Sequence, residues 1–291
     1  MQTTSDGLSV PASGHAPRRC TSADRLMWIS LDRVFYVGLL GAPSVRTMGS
    51  IGAYVALDGD IQIRTEHGPG GLDGAWQRTD LAVVQPYVRH QVACEGRHIA
   101  ALMLEPESVD LAQLPPLLRQ PSGAVHDAGF VAHVRACHAR LAAAGRSLDL
   151  QLEDFDHLLF GRALPPRQID ARIAAVLDRI KRDPAAPALA EDFAVQARLS
   201  FSRFLHLFKQ EVGAPFRSLR TWKRARSLLH YVNRETNLAH VALDAGYPDS
   251  THFSHSIRQV YGLKPRDIFA GSRKLRVIDP QPPRDGERLT P

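Results

Sequence analysis

The hydrophobic and polar positions divide this chain into two textures. Between about residues 27 and 104, short runs of Val, Ile, Leu and Tyr are separated by Gly, Pro and Asp. The runs 33–40, 51–57, 60–64, 80–85, 90–94 and 98–104 have the length of strands, and turn residues bound them. In 60–64, Ile61 and Ile63 alternate with Gln62 and Arg64, which turns one face inward. Asp58-Gly59 supports the positive φ of a tight turn, so 51–57 and 60–64 read as a hairpin. Many short strands at this spacing predict a β-sandwich or a small barrel.

Beyond residue 107 the period changes. A Pro/Leu-rich connection (107–121) leads to a helix over 127–144, with Phe130, Val134, Cys137 and Leu141 on one face and Gly145 ending it. A second helix is predicted over 148–159, with Leu148, Leu152, Phe155 and Leu159 inward. The tandem prolines of 161–167 fix an extended linker. Residues 168–182 form an amphipathic helix that buries Ile169, Ile173, Val176, Leu177 and Ile180.

The stretch 189–268 carries one pattern twice. Each copy has a short apolar helix, a tight turn and a second helix with an aromatic residue near its middle. Phe204 matches Phe253, His206 matches His255, and Gly213 matches Gly262, with one extra residue in the second turn. Ser200 in one copy, and Asp249 or Ser250 in the other, can cap the second helices. Gly246 can take positive φ, whereas Arg198 occupies the matching place in the first copy against local preference. Helix, turn, helix is the outline of a DNA-reading unit.

Between the copies, 216–231 reads as a rod of roughly 24 Å at 1.5 Å per residue. Its apolar stripe is Leu219, Trp222, Ala225, Leu228 and Leu229; its charged stripe is Arg220, Lys223, Arg224 and Arg226. Such a rod suits two recognition helices about one turn of DNA apart, on the order of 34 Å.

These residues resemble the AraC/XylS family of transcription regulators. The resemblance rests on Gly246-Tyr-Pro-Asp-Ser-Thr-His-Phe-Ser-His255, on Tyr261-Gly-Leu-Lys-Pro265, on the paired copies and on the basic helix between them. It covers about residues 168–270. Ile257 stands where the family usually has Phe, and Pro215 falls one residue early. The resemblance implies an α+β chain, with an N-terminal cupin-like β-barrel followed by an all-α C-terminal domain of two helix-turn-helix units. The boundaries are then 1–22 disordered tail, 23–106 cupin-like sensor, 107–160 helical connection, 161–167 linker, 168–270 DNA-binding domain and 271–291 disordered tail. In this family the helices of the connection commonly pair two subunits, which implies a homodimer.

Helix phase sorts the DNA-facing candidates. Ser202, Arg203, His206 and Lys209 are polar on the second helix of the first copy; Ser250, Thr251, Ser254, His255 and Arg258 point outward in the second, opposite Phe253, Ile257 and Val260. The resemblance turns Ser202, Leu205 and His206 to base edges, where Leu205 meets a thymine methyl. Lys209 and Arg258 lie later and suit phosphate.

Charge agrees with this reading. From Pro166 onward there are 22 Lys and Arg against 13 Asp and Glu; before it, 14 against 17. A basic C-terminal half suits a polyanion. The length of 291 residues allows two domains at roughly 100–200 residues each. Cys20, Cys94 and Cys137 are scattered, without metal spacing. His67, His90 and His98 occur singly, without the paired His-x-His and Glu of an enzymatic cupin. No cofactor or metal is expected, and no nucleophile constellation marks an enzyme. No apolar run reaches the roughly 18 residues of a membrane span and no signal sequence opens the chain, so a cytoplasmic protein is expected. The expected partners are double-stranded promoter DNA and a small-molecule effector, its binding residues unassigned. RNA polymerase is a further candidate partner. The alternatives are a regulator whose barrel serves only assembly and a barrel-based enzyme fused to a DNA-binding module.

Overall fold

The computed structural model describes residues 25–143, 154–234 and 237–278. The predicted N-terminal tail 1–22, the first part of the predicted helix 148–159, and the end of the chain after residue 278 lie outside them.

The N-terminal half is built from two sheets. The larger contains β1 (Leu26–Ile29), β2 (Arg33–Leu39), β3 (Ile51–Ala56), β6 (Leu81–Val84), β8 (His98–Leu104), β9 (Gly123–Val125) and β10 (Arg276–Ile278), in the order β10-β1-β2-β8-β3-β6-β9. The smaller contains β4 (Ile61–Thr65), β5 (Gln77–Thr79) and β7 (His90–Cys94), in the order β5-β4-β7. The cupin-like sheets are therefore present, but as two layers rather than a closed barrel. Gly59 has the expected φ of +66°, yet the turn is not a hairpin. It carries the chain from β3 in the large sheet to β4 in the small one.

Both faces of the large sheet are covered. Trp28, Phe35, Val37, Val55 and Leu102 pack under α1 (Ala128–Ala143) and α2 (Phe155–Phe160). Phe130, Val134, Cys137 and Leu141 of α1 are buried in that cluster, against this chain's own sheet. Met27, Val34, Tyr54 and Ile99 face the other way, towards Ile61, Ile63 and Val92 of the small sheet. Strands buried on two faces read as continuous apolar runs, which is why β3 and β6 show no alternation, while half-buried β4 does.

The C-terminal half is helical: α3 (Ala171–Arg182), α4 (Ala190–Gln196), α5 (Phe201–Val212), α6 (Phe216–Ser227), α7 (Leu238–Asp244), α8 (Ser250–Tyr261) and α9 (Pro265–Ser272). The first unit, α3 to the start of α6, has its own core around Phe193, Phe204, Phe208 and Phe216, whose rings lie 5.2–5.8 Å apart. The second unit has no separate core. Trp222, Phe253, Ile257, Val260 and Tyr261 belong to the same buried cluster as Met27, Tyr54 and Ile99 of the N-terminal half.

The rod between the units is shorter than the predicted 216–231, because its α-helix ends at Ser227 and tightens into a 3₁₀ turn over Leu228–His230. Nor is its basic side a solvated stripe. Arg220, Lys223 and Arg226 are buried, because α6 is enclosed between the first unit and the N-terminal half. Lys223 Nζ lies 2.8 Å from Glu105 and 2.5 Å from Glu107, and Arg226 Nε lies 3.0 Å from Glu105. The predicted tail 271–291 is also corrected at its start. Ser272 ends α9, and residues 276–278 form a strand that pairs parallel with β1.

Candidate nucleic-acid interface

The two helix-turn-helix units are copies at the level of single hydrogen bonds. In the first turn, Ala197 N–H donates to Phe193 O, Arg198 N–H to Val195 O, and Leu199 N–H to Ala194 O. In the second, Ala245 donates to Val241 O, Gly246 to Leu243 O, and Tyr247 to Ala242 O. Arg198 and Gly246 both have positive φ, +54° and +76°. A side chain at Gly246 would also meet the Ala185 carbonyl at 2.5 Å, so glycine is required there twice over.

The caps differ as the sequence suggests. Ser200 Oγ accepts from Arg203 N–H at 3.4 Å. Asp249, not Ser250, caps α8 and accepts from both Thr251 and His252 N–H at 2.7 and 2.8 Å. Asp249 also accepts from His252 Nδ1 at 2.8 Å. Its carboxyl is held below the usual range by these backbone and side-chain donors of His252. Gly213 and Gly262 end α5 and α8 with φ of +84° and +72°.

On α5, Ser202, Arg203, His206 and Lys209 are exposed and Leu205 is half-buried, opposite buried Phe204, Leu207 and Phe208. On α8, Ser250, Thr251, His255 and Arg258 are exposed and Ser254 is half-buried, opposite buried Phe253, Ser256, Ile257 and Val260. Each unit thus presents a polar strip on its second helix. Phe201, at the N-terminal end of α5, is exposed as well, an apolar group that hydrophobic phase alone assigns to the core.

Sequence reasoning missed a second site. A cavity of about 170 Å³ lies between the large sheet and the second unit. Met27, Val34, Met48 and Ile99 line one side, and Leu229, Val232, Tyr261 and Leu275 the other. Arg46 also lines it, only 6% exposed, with a buried Nε that has no hydrogen-bond partner. Among the described residues Arg46 has no ion pair. Its neighbour His90 is fully buried; Nδ1 is 2.9 Å from Val88 O and Nε2 is 3.0 Å from Tyr54 OH. The geometry puts the ring proton on Nδ1, donated to Val88, while Tyr54 OH donates to Nε2. Burial, then the charge of Arg46, push His90 down to about 3, so the ring is neutral. Its neighbours explain the lone His90 fully: it is a satisfied core group. His67 is exposed on a loop, and His98 Nδ1 lies against Gly96 O. A lone Arg in a segment of Gly, Pro and Ser gave no signal of a cavity that only the folded chain assembles.

A helix-turn-helix domain family matches residues 193–271. The invasion protein InvF of Salmonella typhi is 35% identical over 81 residues, 28% of this chain and 36% of InvF, and InvF of Salmonella typhimurium matches equally. The chain thus spans about a third of the length of the curated relatives it matches. In overall fold it is similar to an apo variant of ToxT from Vibrio cholerae, with a TM-score of 0.53 and 10% identity over 82% of this chain and 97% of that one. The C-terminal half is a double helix-turn-helix domain of the AraC/XylS type, carried behind a β-rich N-terminal domain.

Proposed function

We propose that this protein is a sequence-specific DNA-binding transcription regulator of the AraC type. The observation that carries the reading is the repeated unit with the same turn and a polar strip on the second helix in both copies. Ser202, Leu205 and His206 in the first unit, and Ser250, Thr251, Ser254 and His255 in the second, are proposed to read base edges in successive major grooves. Arg203, Lys209 and Arg258 are proposed to hold phosphates and so to set register. Arg203→Ala and His255→Ala should each weaken binding to a selected operator by about 1–3 kcal/mol, read in a gel-shift titration, with the thermal midpoint unchanged. Unaltered affinity in both variants sinks the assignment.

Control by a small effector is proposed to act through the cavity at the domain junction, rather than through a pocket inside a closed barrel. The buried Arg46, which has no ion pair among the described residues and whose Nε lacks a partner although Nη2 donates to Ala42 O, favours in this mostly apolar lining a compact ligand with an apolar body and one anionic group. A ligand there touches both domains, so it has the differential contacts that a shift between two arrangements requires. A thermal-shift screen of small apolar carboxylic acids should find one that raises the midpoint; at 100 times its Kd the gain is about 2.7 kcal/mol. Arg46→Met should abolish the shift. If no such acid stabilises the protein, the N-terminal domain serves assembly alone. Homodimerisation, if it uses α1, would use a face other than the one packed on the sheet. Promoter DNA is the proposed partner and RNA polymerase a further one.

A further inference from the structure

The two reading units are not held alike. The first has its own aromatic core and one ion pair to the N-terminal domain, Lys181 to Asp32 at 2.8 Å. The second shares its core with the N-terminal half and is held on three sides, one of them the rod α6, whose start belongs to the first unit's core. From α6, Trp222 Nε1 donates to Glu105 at 2.9 Å, Lys223 pairs with Glu105 and Glu107, and Arg226 pairs with Glu105 and donates to the carbonyls of Ser30 and Arg33. At the end of α8, Thr47 N–H lies 3.1 Å from both Gln259 O and Val260 O. On the third side the chain leaves α9 at Ser272 and within four residues joins β1 as strand β10, Leu26 to Trp28 against Arg276 to Ile278. Leu275, just before the strand, is buried in the shared core, and Arg276 donates to Leu141 O at 2.6 Å.

We infer that β10 is a strap: it closes the grip on the second unit, makes that unit part of the N-terminal body, and fixes where the second recognition helix stands relative to the first. A backbone ladder at a sheet edge restrains translation and rotation, which the buried side chains of a three-turn helix do less strictly. A reading head held in place loses less freedom when it docks on DNA than one on a loose tether. The strap therefore supports one half of the operator footprint and not the other. This inference rests on the DNA-binding reading, and its test separates the two.

The test uses the full chain and DNA selected by it from a random pool. The wild type should protect two half-sites, which Arg203→Ala and His255→Ala assign to the first and second unit. Arg276→Pro removes the backbone N–H that donates to Arg25 O in the ladder, and Arg276→Thr loses the same side chain but keeps that bond. Arg276→Pro, and a chain ending at Leu275, should weaken protection at the second unit's half-site by at least about fivefold, the loss expected when a pre-ordered contact becomes a tethered one, and leave the other within about twofold. Arg276→Thr should stay within about twofold of the wild type at both. Equal losses at both half-sites, or no loss at either, overturn the strap. Protection of neither half-site by the wild type refutes DNA binding instead. Thermal melting of each variant verifies folding; if the shortened chain does not fold, Arg276→Pro decides alone.

Discussion

Two residues show how local chemistry is set against local preference. Arg198 holds the left-handed conformation that Gly246 takes in the second unit, because both turns need the same three backbone hydrogen bonds. A side chain in that region costs about 1–2 kcal/mol relative to the ordinary backbone wells. Arg198→Gly should therefore raise the thermal stability, less the extra freedom glycine gives the unfolded chain, by a net of up to about 1 kcal/mol. An unchanged or lower midpoint in calorimetry would show that the Arg198 side chain adds stability that its exposed position does not suggest. His90 makes a pH prediction. Its folded pKa near 3 lies below the ordinary value of about 6.5, so between these limits the unfolded chain binds the proton and the folded chain does not. The folded state is penalised as pH falls from about 7, by up to about 1.4 kcal/mol per unit. His90→Gln removes this term and loses only pH-independent contacts. The gap in stability between variant and wild type should then narrow or reverse as pH drops from 7 to 5; a constant gap contradicts a neutral, buried His90. The buried carboxyls beside α6 are common to variant and wild type and cancel in this gap: burial pushes Glu105 up, whereas Asp32 and Glu107 go down. Burial raises the carboxyls of these last two as well, but the ammonium groups of Lys181 and Lys223 outweigh it and hold them below the usual range.

At the scale of elements, legibility follows whether one face or two are buried. The helices α3, α5 and α8 announce themselves because a single apolar stripe repeats at helical spacing, and the strands β2, β7 and β8 lie where short apolar runs between turn residues place them. The elements that periodicity misjudges are those whose partner is remote. The turn at Gly59 has the right conformation, but local chemistry says nothing about which sheet receives the next strand. α6 looks amphipathic with a charged side because Lys and Arg usually mean water. Here Arg220, Lys223 and Arg226 follow one another at three-residue steps on one side, and two of them meet Glu105 and Glu107, more than a hundred residues earlier. Glu105-Pro-Glu107 at the end of an apolar strand was the visible half of that pairing; nothing local tied it to α6. The strand β10 is three residues long after a polar stretch, and it exists because β1 offers an edge. Its side chains do not declare it.

On the whole-molecule scale, the division into cores does not follow the division into domains. A double helix-turn-helix half suggests a self-contained DNA-binding domain, yet only the first unit has a core of its own, and Trp222, Phe253 and Tyr261 of the second share theirs with Met27, Tyr54 and Ile99. Residues that share one apolar core lose it together, so cooperative opening should follow the cores. Hydrogen exchange on the intact chain in mild urea tests this. Amides of α7 and α8 should exchange with the same free energy and the same urea dependence as those of β2 and β8, while α3, α4 and α5 open in a separate step. Opening of α5 and α8 in one step, apart from the sheet, would return the molecule to two independent domains joined by a linker. Otherwise the two reading units belong to different cooperative bodies. On the proposed function, an event that loosens or tightens the N-terminal domain would reach DNA mainly through the second unit, with the first holding its half-site throughout.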